Sequence, residues 1–195
     1  MSSSVLFMSI SLDGYVAGPN DSPTNPGGDG FTLHDWGITS EGQHRTDGVA
    51  GRMNAEYDAT GAVLTGRRTA EQASYWGGNH HGQGVPIFVL THQPPTDPTV
   101  AGYPLVSFVT DGIVSAMAQA KAAAGSHDVL VHGGAATVRR ALEAGVLDEL
   151  QLHQVPVLLG GGRRLFDVLP SRVELDIVRV IDTPQATHLR YRVRR

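Results

Sequence analysis

Cysteine is absent from this 195-residue chain. That absence excludes a disulfide framework, cysteine-based zinc sites, iron–sulfur clusters and a thiol nucleophile together. Lysine is almost as scarce: Lys121 alone stands among fifteen basic residues, and the formal net charge is −4 with only 17% charged side chains. Such a balance implies no nucleic-acid-scale basic surface, although the arginine pairs at 67–68, 139–140 and 163–164 offer local anion sites. No run approaches the ~18 apolar residues that span a bilayer, and the opening MSSSVLFMSISLDG has neither the basic start nor the apolar stretch of a secretory signal. The expectation is a cytoplasmic protein with no membrane or nucleic-acid partner.

Glycine, by contrast, is abundant: 24 residues, about 12% against a usual ~7%. Its spacing is too irregular for collagen, and it is too interspersed with Val, Leu and Ile for a disordered tail. The length suits one compact domain, and no internal repeat, heptad or linker argues for more.

The periodicity reads as alternating strands and helices. Val5–Leu12 is a strand leaving through Asp13-Gly14, and residues 18–30 (GPNDSPTNPGGDG) are too rich in turn formers for regular structure. A helix is predicted from about Glu41 to Asp58, with Val49, Met53 and Tyr57 on one stripe. Ala62–Thr65, Pro86–Thr91, Pro104–Val109 and Val129–His132 read as strands; helices follow from near Arg67, over Gly112–Ala124 and over Ala135–Ala144. Leu150–Leu159 is strand-like, Gly160-Gly161-Gly162 breaks it, and two alternating runs close the chain around a turn at Asp182–Gln185. In the last run Leu189, Tyr191 and Val193 oppose Arg190, Arg192 and Arg194, the pattern of a strand with one wet face. The fold class is α/β, a mostly parallel central sheet flanked by helices and ending in an antiparallel hairpin.

Two glycine sites share a design, each closing an apolar strand and opening a helix: Leu64-Thr65-Gly66-Arg67-Arg68-Thr69 and Val131-His132-Gly133-Gly134-Ala135-Ala136-Thr137. The N–H groups of a helix's first turn favour an anion there, glycine admits a phosphate close to the backbone, and Arg67 and Arg68 add charge suited to bidentate contact. A pair of such junctions suggests a pyrophosphate-bearing cofactor. Neither matches the Rossmann or Walker fingerprint, and tight packing alone also makes such turns glycine-rich.

The ordered set Ser9–Ala17, Gly66-Arg67-Arg68-Thr69, His132-Gly133-Gly134, Leu147-Asp148-Glu149-Leu150 and Val155–Gly162 through Leu165-Phe166-Asp167 resembles the reductase domain of the bifunctional deaminase-reductases of riboflavin biosynthesis. The resemblance implies a dihydrofolate-reductase-like fold in a single domain over 1–195, a homodimer, and an NADPH-dependent reductase similar to 5-amino-6-(5-phosphoribosylamino)uracil reductase, acting on a small heterocycle. Dihydrofolate or pteridine reduction, and a non-catalytic NADPH-binding dimer, are the alternatives. Gly66, Arg67, Arg68 and Thr69 would hold the pyrophosphate and 2′-phosphate, and Gly133, Gly134, Ala135, Ala136 and Thr137 the pyrophosphate from the other side. Thr91 would lie near the adenine ribose, and Ser9, Val16 and Ala17 at the nicotinamide carboxamide. A mobile loop over about 18–40 would cover the nicotinamide. Two departures accompany this likeness. No H-x-E followed by P-C-x-x-C exists without cysteine, so only the reductase half is expected; and His132 stands where the riboflavin enzymes carry Glu, which leaves the substrate open. Dihydrofolate reductases carry an acid on the helix before Gly-Arg, and neither Asp47 nor Glu56 falls in that register.

Reduction of a C=N or C=O bond also needs a proton source, for which Asp13 and His153 are the catalytic candidates. Asp13 equally suits the turn before Gly14, and His153 a structural role. Trp36 and Trp76 sit in glycine-containing loops that suit stacking or core packing. The histidines include no H-x-x-x-H pair, and His80-His81 fall in GGNHHGQG, read as an exposed loop; no metal site is expected.

Overall fold

A computed structural model describes residues 2–195. Strands β1 (Ser4–Ser11) and β2 (Tyr15–Ala17) come first, followed by a short 3-10 helix at Gly28–His34. Then come helix α1 (Gly48–Asp58), β3 (Ala62–Gly66), α2 (Arg67–Gln72), β4 (Ile87–Leu90), α3 (Pro98–Ala101) and β5 (Val106–Val109). After α4 (Ile113–Ala124), β6 (Val129–Val131) and α5 (Ala135–Glu143), the chain ends in strands: β7 (Glu149–Val155), β8 (Arg163–Arg164), β9 (Leu175–Asp182) and β10 (Thr187–Val193).

Eight strands form one sheet in the order β5-β4-β3-β6-β1-β7-β10-β9. Every pairing from β5 to β7 is parallel, while β10 runs antiparallel to both β7 and β9. β1 lies inside the sheet between β6 and β7, with Ser9 opposite His153. Side-chain alternation divides the core between the two faces. Leu6, Met8, Ile10 and Leu64 meet Met117 of α4 and Val138 of α5 on one side. Val63, Val89 and Leu130 meet Tyr57 of α1 and Ala70 of α2 on the other. Burying a Leu or Ile of this kind contributes about 1.5–3 kcal/mol, so both layers are held mainly by apolar contact. Among the described residues no helix is long and apolar enough to cross a membrane.

The lone lysine has a structural post. Asp148 accepts hydrogen bonds from the Ser4 backbone N–H and hydroxyl (both 2.9 Å) and from Lys121 Nζ (2.7 Å), tying β1, α4 and the entrance to β7 together. These contacts hold the Asp148 carboxyl below its ordinary range despite partial burial. The adjoining Glu149 pairs with Arg190 at 2.6 Å. The arginine side of β10 is therefore not simply wet: Arg190 is largely covered by its ion pairs to Glu149 and Glu56, while Leu189, Tyr191 and Val193 pack on the main core.

Three sequence readings change. Helix α1 begins at Gly48 rather than Glu41, because Thr39 N–H bonds to the Gln43 carbonyl (2.8 Å) and Gly42 and Gly48 adopt positive φ (76° and 59°), which turns residues 39–48 instead of coiling them. Strand β7 stops at Val155, before Pro156, which has no N–H to donate. Residues 18–30 are not featureless: Ser22 and Asn25 form a bridge and a 3-10 turn opens at Gly28. This segment folds back on itself so closely that a Cβ on Gly18 would stand 2.5 Å from the Gly30 nitrogen.

Candidate active site

The parallel strands deliver their carboxyl ends to one edge of the sheet, where ligands of open α/β folds bind. A cavity of about 810 Å³ lies there. Its wall takes Ser9 from β1, Val16 and Ala17 from β2, Gly66, Arg67, Arg68 and Thr69 from the β3–α2 junction, and Thr91 after β4. Gly133, Gly134, Ala135, Ala136 and Thr137 from the β6–α5 junction complete it. Every residue that the resemblance assigned to nucleotide binding thus lines one space. The segment after β2 roofs it, contributing Asp21, Pro26, Gly27, Phe31, His34 and Trp36.

The two glycine junctions are fitted to each other. A Cβ on Gly66 would stand 2.4 Å from Thr137 Oγ1, and one on Gly133 would stand 2.6 Å from Thr69 Cγ2. Each glycine makes room for the threonine of the opposite turn. Gly133 and Gly134 also hold φ near +77° and +78°, a region L side chains enter at a cost. Helix α5 starts after Gly134 with no side-chain cap, so its first-turn amides and the positive end of its dipole favour an anion.

The charge at this end is shared out. Arg68 Nη2 donates to Asp21 Oδ2 at 2.8 Å, and Arg163 Nε approaches the same oxygen at 3.5 Å. Asp21 Oδ1 accepts from Gln72 Nε2 (2.6 Å) and the Gly27 amide (3.1 Å). These donors outweigh desolvation, the largest single influence, and keep the Asp21 carboxyl below its ordinary range. Arg67 makes an exposed contact to Glu71 at 3.4 Å, and such contacts are weak. At the other end the wall is apolar and aromatic: Phe7, Val16, Phe31 and Trp36, with Trp36 Nε1 donating to Ser9 Oγ at 2.9 Å.

Neither sequence candidate for proton transfer lies on the cavity wall. Asp13 accepts from the Ser11 hydroxyl (2.6 Å) and from the amides of Leu159 (3.1 Å) and Gly160 (2.8 Å), which anchor the loop after β7. Above all the Ser11 bond lowers its carboxyl to about 2, so it carries no proton at neutral pH. His153 is fully buried, its ring 4.2 Å from both Phe7 and Trp36 and its Nδ1 2.7 Å from Nδ1 of His188. Burial, reinforced by His188, pushes its pKa well below the ordinary histidine value. Its Nε2 has no hydrogen-bond partner, and the ring reads as part of the floor beneath the cavity.

One cluster was misread from sequence. His80 is completely buried rather than on an exposed loop. Its Nδ1 bonds to Gln83 Oε1 at 2.7 Å, and its Nε2 lies 3.0 Å from the Tyr57 hydroxyl and 2.7 Å from His132 Nδ1. Tyr57 also reaches His132 Nδ1 at 2.9 Å. Desolvation lowers the His80 pKa to about 3 and pushes Tyr57 up. Tyr57 was visible only as one member of an apolar helical stripe, and no local signal paired it with residues 23 and 75 positions away.

Comparison with known proteins agrees with this fold. The Bacillus subtilis protein YwjB is 27% identical over 187 residues, covering 96% of this chain and 95% of its own. A Shewanella sp. PV-4 protein described as a riboflavin biosynthesis protein superposes with a TM-score of 0.74 at 22% identity, covering 99% of each chain. The deaminase/5-amino-6-(5-phosphoribosylamino)uracil reductase of Thermotoga maritima gives a TM-score of 0.59 at 14% identity, over 98% of this chain and 56% of that one. Residues 4–189 match the model of the RibD C-terminal domain, and the chain therefore belongs to that family, in its dihydrofolate-reductase-like fold.

Proposed function

We propose that this protein is an NADPH-dependent reductase of a small heterocycle, chemically related to the ribosylaminouracil of the riboflavin pathway. The observation that carries this reading is the single cavity in which both glycine junctions, Thr91 and the β1–β2 residues meet. Its donor set suits the cofactor: α5 amides, arginines and threonine hydroxyls at one end for phosphates, and an apolar aromatic end for a planar ring. NADPH held there would supply a hydride to the acceptor carbon.

The chain's own residues bind, orient and exclude water. The β6–α5 turn and Thr69 would hold the pyrophosphate, and Arg67 and Arg68 would answer the 2′-phosphate charge, Arg68 on release from Asp21. The segment 18–40 roofs the aromatic end and keeps it dry. The proton for the reduced heteroatom comes from a group other than Asp13 or His153, neither of which reaches the cavity. A second copy of the chain is the partner expected. Ile177, Val178 and Val180 on edge strand β9 are 70%, 44% and 54% exposed and offer an apolar self-association face; sedimentation of the Ile177→Glu variant tests it.

Titration with NADPH and NADH, followed by tryptophan quenching, tests the cofactor. NADPH is expected to bind more tightly, and Arg67→Ala with Arg68→Ala to abolish the preference. Equal, weak binding of both nucleotides refutes the assignment. Loss of reduced-nicotinamide absorbance with pyrimidine or pterin acceptors tests turnover. Binding without turnover across that panel would favour the non-catalytic alternative.

A further inference from the structure

Three imidazoles cluster beside the cavity. His80 and His81 come from the loop after α2 and His132 from the end of β6, and one ring nitrogen of each lies within 4.8 Å of the others. Gln83 sets the tautomer of His80. Its Nε2 donates to the Tyr57 carbonyl (3.2 Å), which turns its Oε1 toward His80 Nδ1 (2.7 Å). Because an amide oxygen only accepts, His80 keeps its proton on Nδ1 and presents a bare lone pair at Nε2. An outer oxygen holding the far nitrogen of a histidine is the usual support of a metal-ligating imidazole.

That lone pair points at two further groups with few protons between them. Tyr57 Oη and His132 Nδ1 stand 3.0 and 2.7 Å from it and 2.9 Å from each other. These contacts do not fix the tautomer of His132: with its proton on Nε2, the Tyr57 hydroxyl brings the one proton to three short contacts, and a cation seated against them meets the lone pairs of both imidazoles and of the phenol oxygen. The loop that delivers the histidines is held in an uncommon backbone. Ser74, Tyr75, Trp76 and His81 all have φ between 45° and 52°, and such conformations persist where the surroundings impose them.

We propose that His80, His81 and His132 form a binding site for one divalent transition-metal ion, zinc by ligand type, with Tyr57 alongside. Three neutral imidazoles suit zinc, copper or nickel and leave a fourth position open. His81, His132 and Tyr57 also line the main cavity, so that open position faces it and takes water or a heteroatom of the cavity's occupant. The site does not depend on the nucleotide reading, and its test uses no nucleotide.

Tag-free protein stripped with a chelator is titrated with Zn²⁺ by calorimetry and with Co²⁺ by visible absorption. One ion per chain is expected, with Co²⁺ bands of low-symmetry nitrogen coordination. His81→Ala removes an exposed side chain and leaves the buried network in place, and with His132→Gln it is expected to weaken Zn²⁺ binding by at least about 100-fold. His127→Ala, on the exposed turn before β6, is expected to change nothing. Failure to saturate at one ion per chain overturns the proposal, as does unchanged affinity in both His81→Ala and His132→Gln. Either result would leave the cluster a hydrogen-bonded network.

Discussion

The fit between Gly66 and Thr137 predicts a steric dependence that a double-mutant cycle can read. Gly66 has φ −90° and ψ 154°, which any residue adopts, so alanine there meets no backbone strain. What it meets is Thr137 Oγ1, 2.4 Å from the new methyl, about 1 Å inside ordinary contact, while Thr137 Cβ at 3.7 Å is already comfortable. Thr137 is buried in the first turn of α5 and has little room to yield. Overpacking of this kind costs about 1–3 kcal/mol, and each kcal/mol lowers Tm by about 2–4 °C in a chain of this size. Thr137→Ala removes the offending oxygen and keeps the Cβ. Gly66→Ala in that background is therefore expected to cost no more than about 0.5 kcal/mol. Thr137→Val keeps a methyl where the hydroxyl stood and is expected to rescue nothing. Urea unfolding followed by circular dichroism measures all of the variants. The reasoning fails if Gly66→Ala alone lies within about 0.5 kcal/mol of the parent, or if its loss is as large with Thr137→Ala as without.

Stability is expected to fall as pH drops below about 6.5. The folded pKa of His153 is depressed, so the unfolded chain takes up a proton there that the folded chain refuses. Above 6.5 both states are neutral and this contribution is flat; below it, the loss approaches about 1.4 kcal/mol per pH unit. His153→Phe should reduce the acid slope in denaturant titrations by about 1 kcal/mol per pH unit, and an unchanged slope would refute the assignment. Asp21→Asn retains Oδ1 for Gly27 and Gln72 but removes the charge opposite Arg68, so NADPH affinity should rise by up to about fivefold, the worth of one exposed pair; weaker binding would mean that Asp21 organises the site rather than competing for it. Asp13→Asn should leave the pH profile of NADPH oxidation unaltered between about pH 5 and 8, since the carboxyl is ionised throughout. A lost acid limb would restore Asp13 as the proton donor.

Much of the candidate site was legible in the sequence because its elements are local. A strand, a glycine and a helix start within a few residues define each junction, and the apolar runs that become β3 and β6 place both junctions at the same sheet edge. The edges of α1 and β7 were less legible, since turn geometry at Gly42 and Gly48 and the missing N–H of Pro156 decide them. The proton-transfer candidates failed for a different reason. Asp13 in the turn after β1 and His153 on β7 have suitable chemistry, but whether a side chain faces a cavity, a loop amide or a neighbouring ring depends on segments distant in sequence.

By itself, the sequence determined the cysteine-free chemistry by composition, and the α/β class and the two glycine junctions through patterns among near neighbours. Only the tertiary structure decided that Gly66 and Gly133 each shelter the other junction's threonine, that Asp21 occupies Arg68, and that His80 lies buried against Tyr57 and His132. Those outcomes come from bringing α1, the loop after α2 and the end of β6 to one edge of the sheet. Burial and lone-pair geometry exist only once that packing is made, so no pattern along the chain records them.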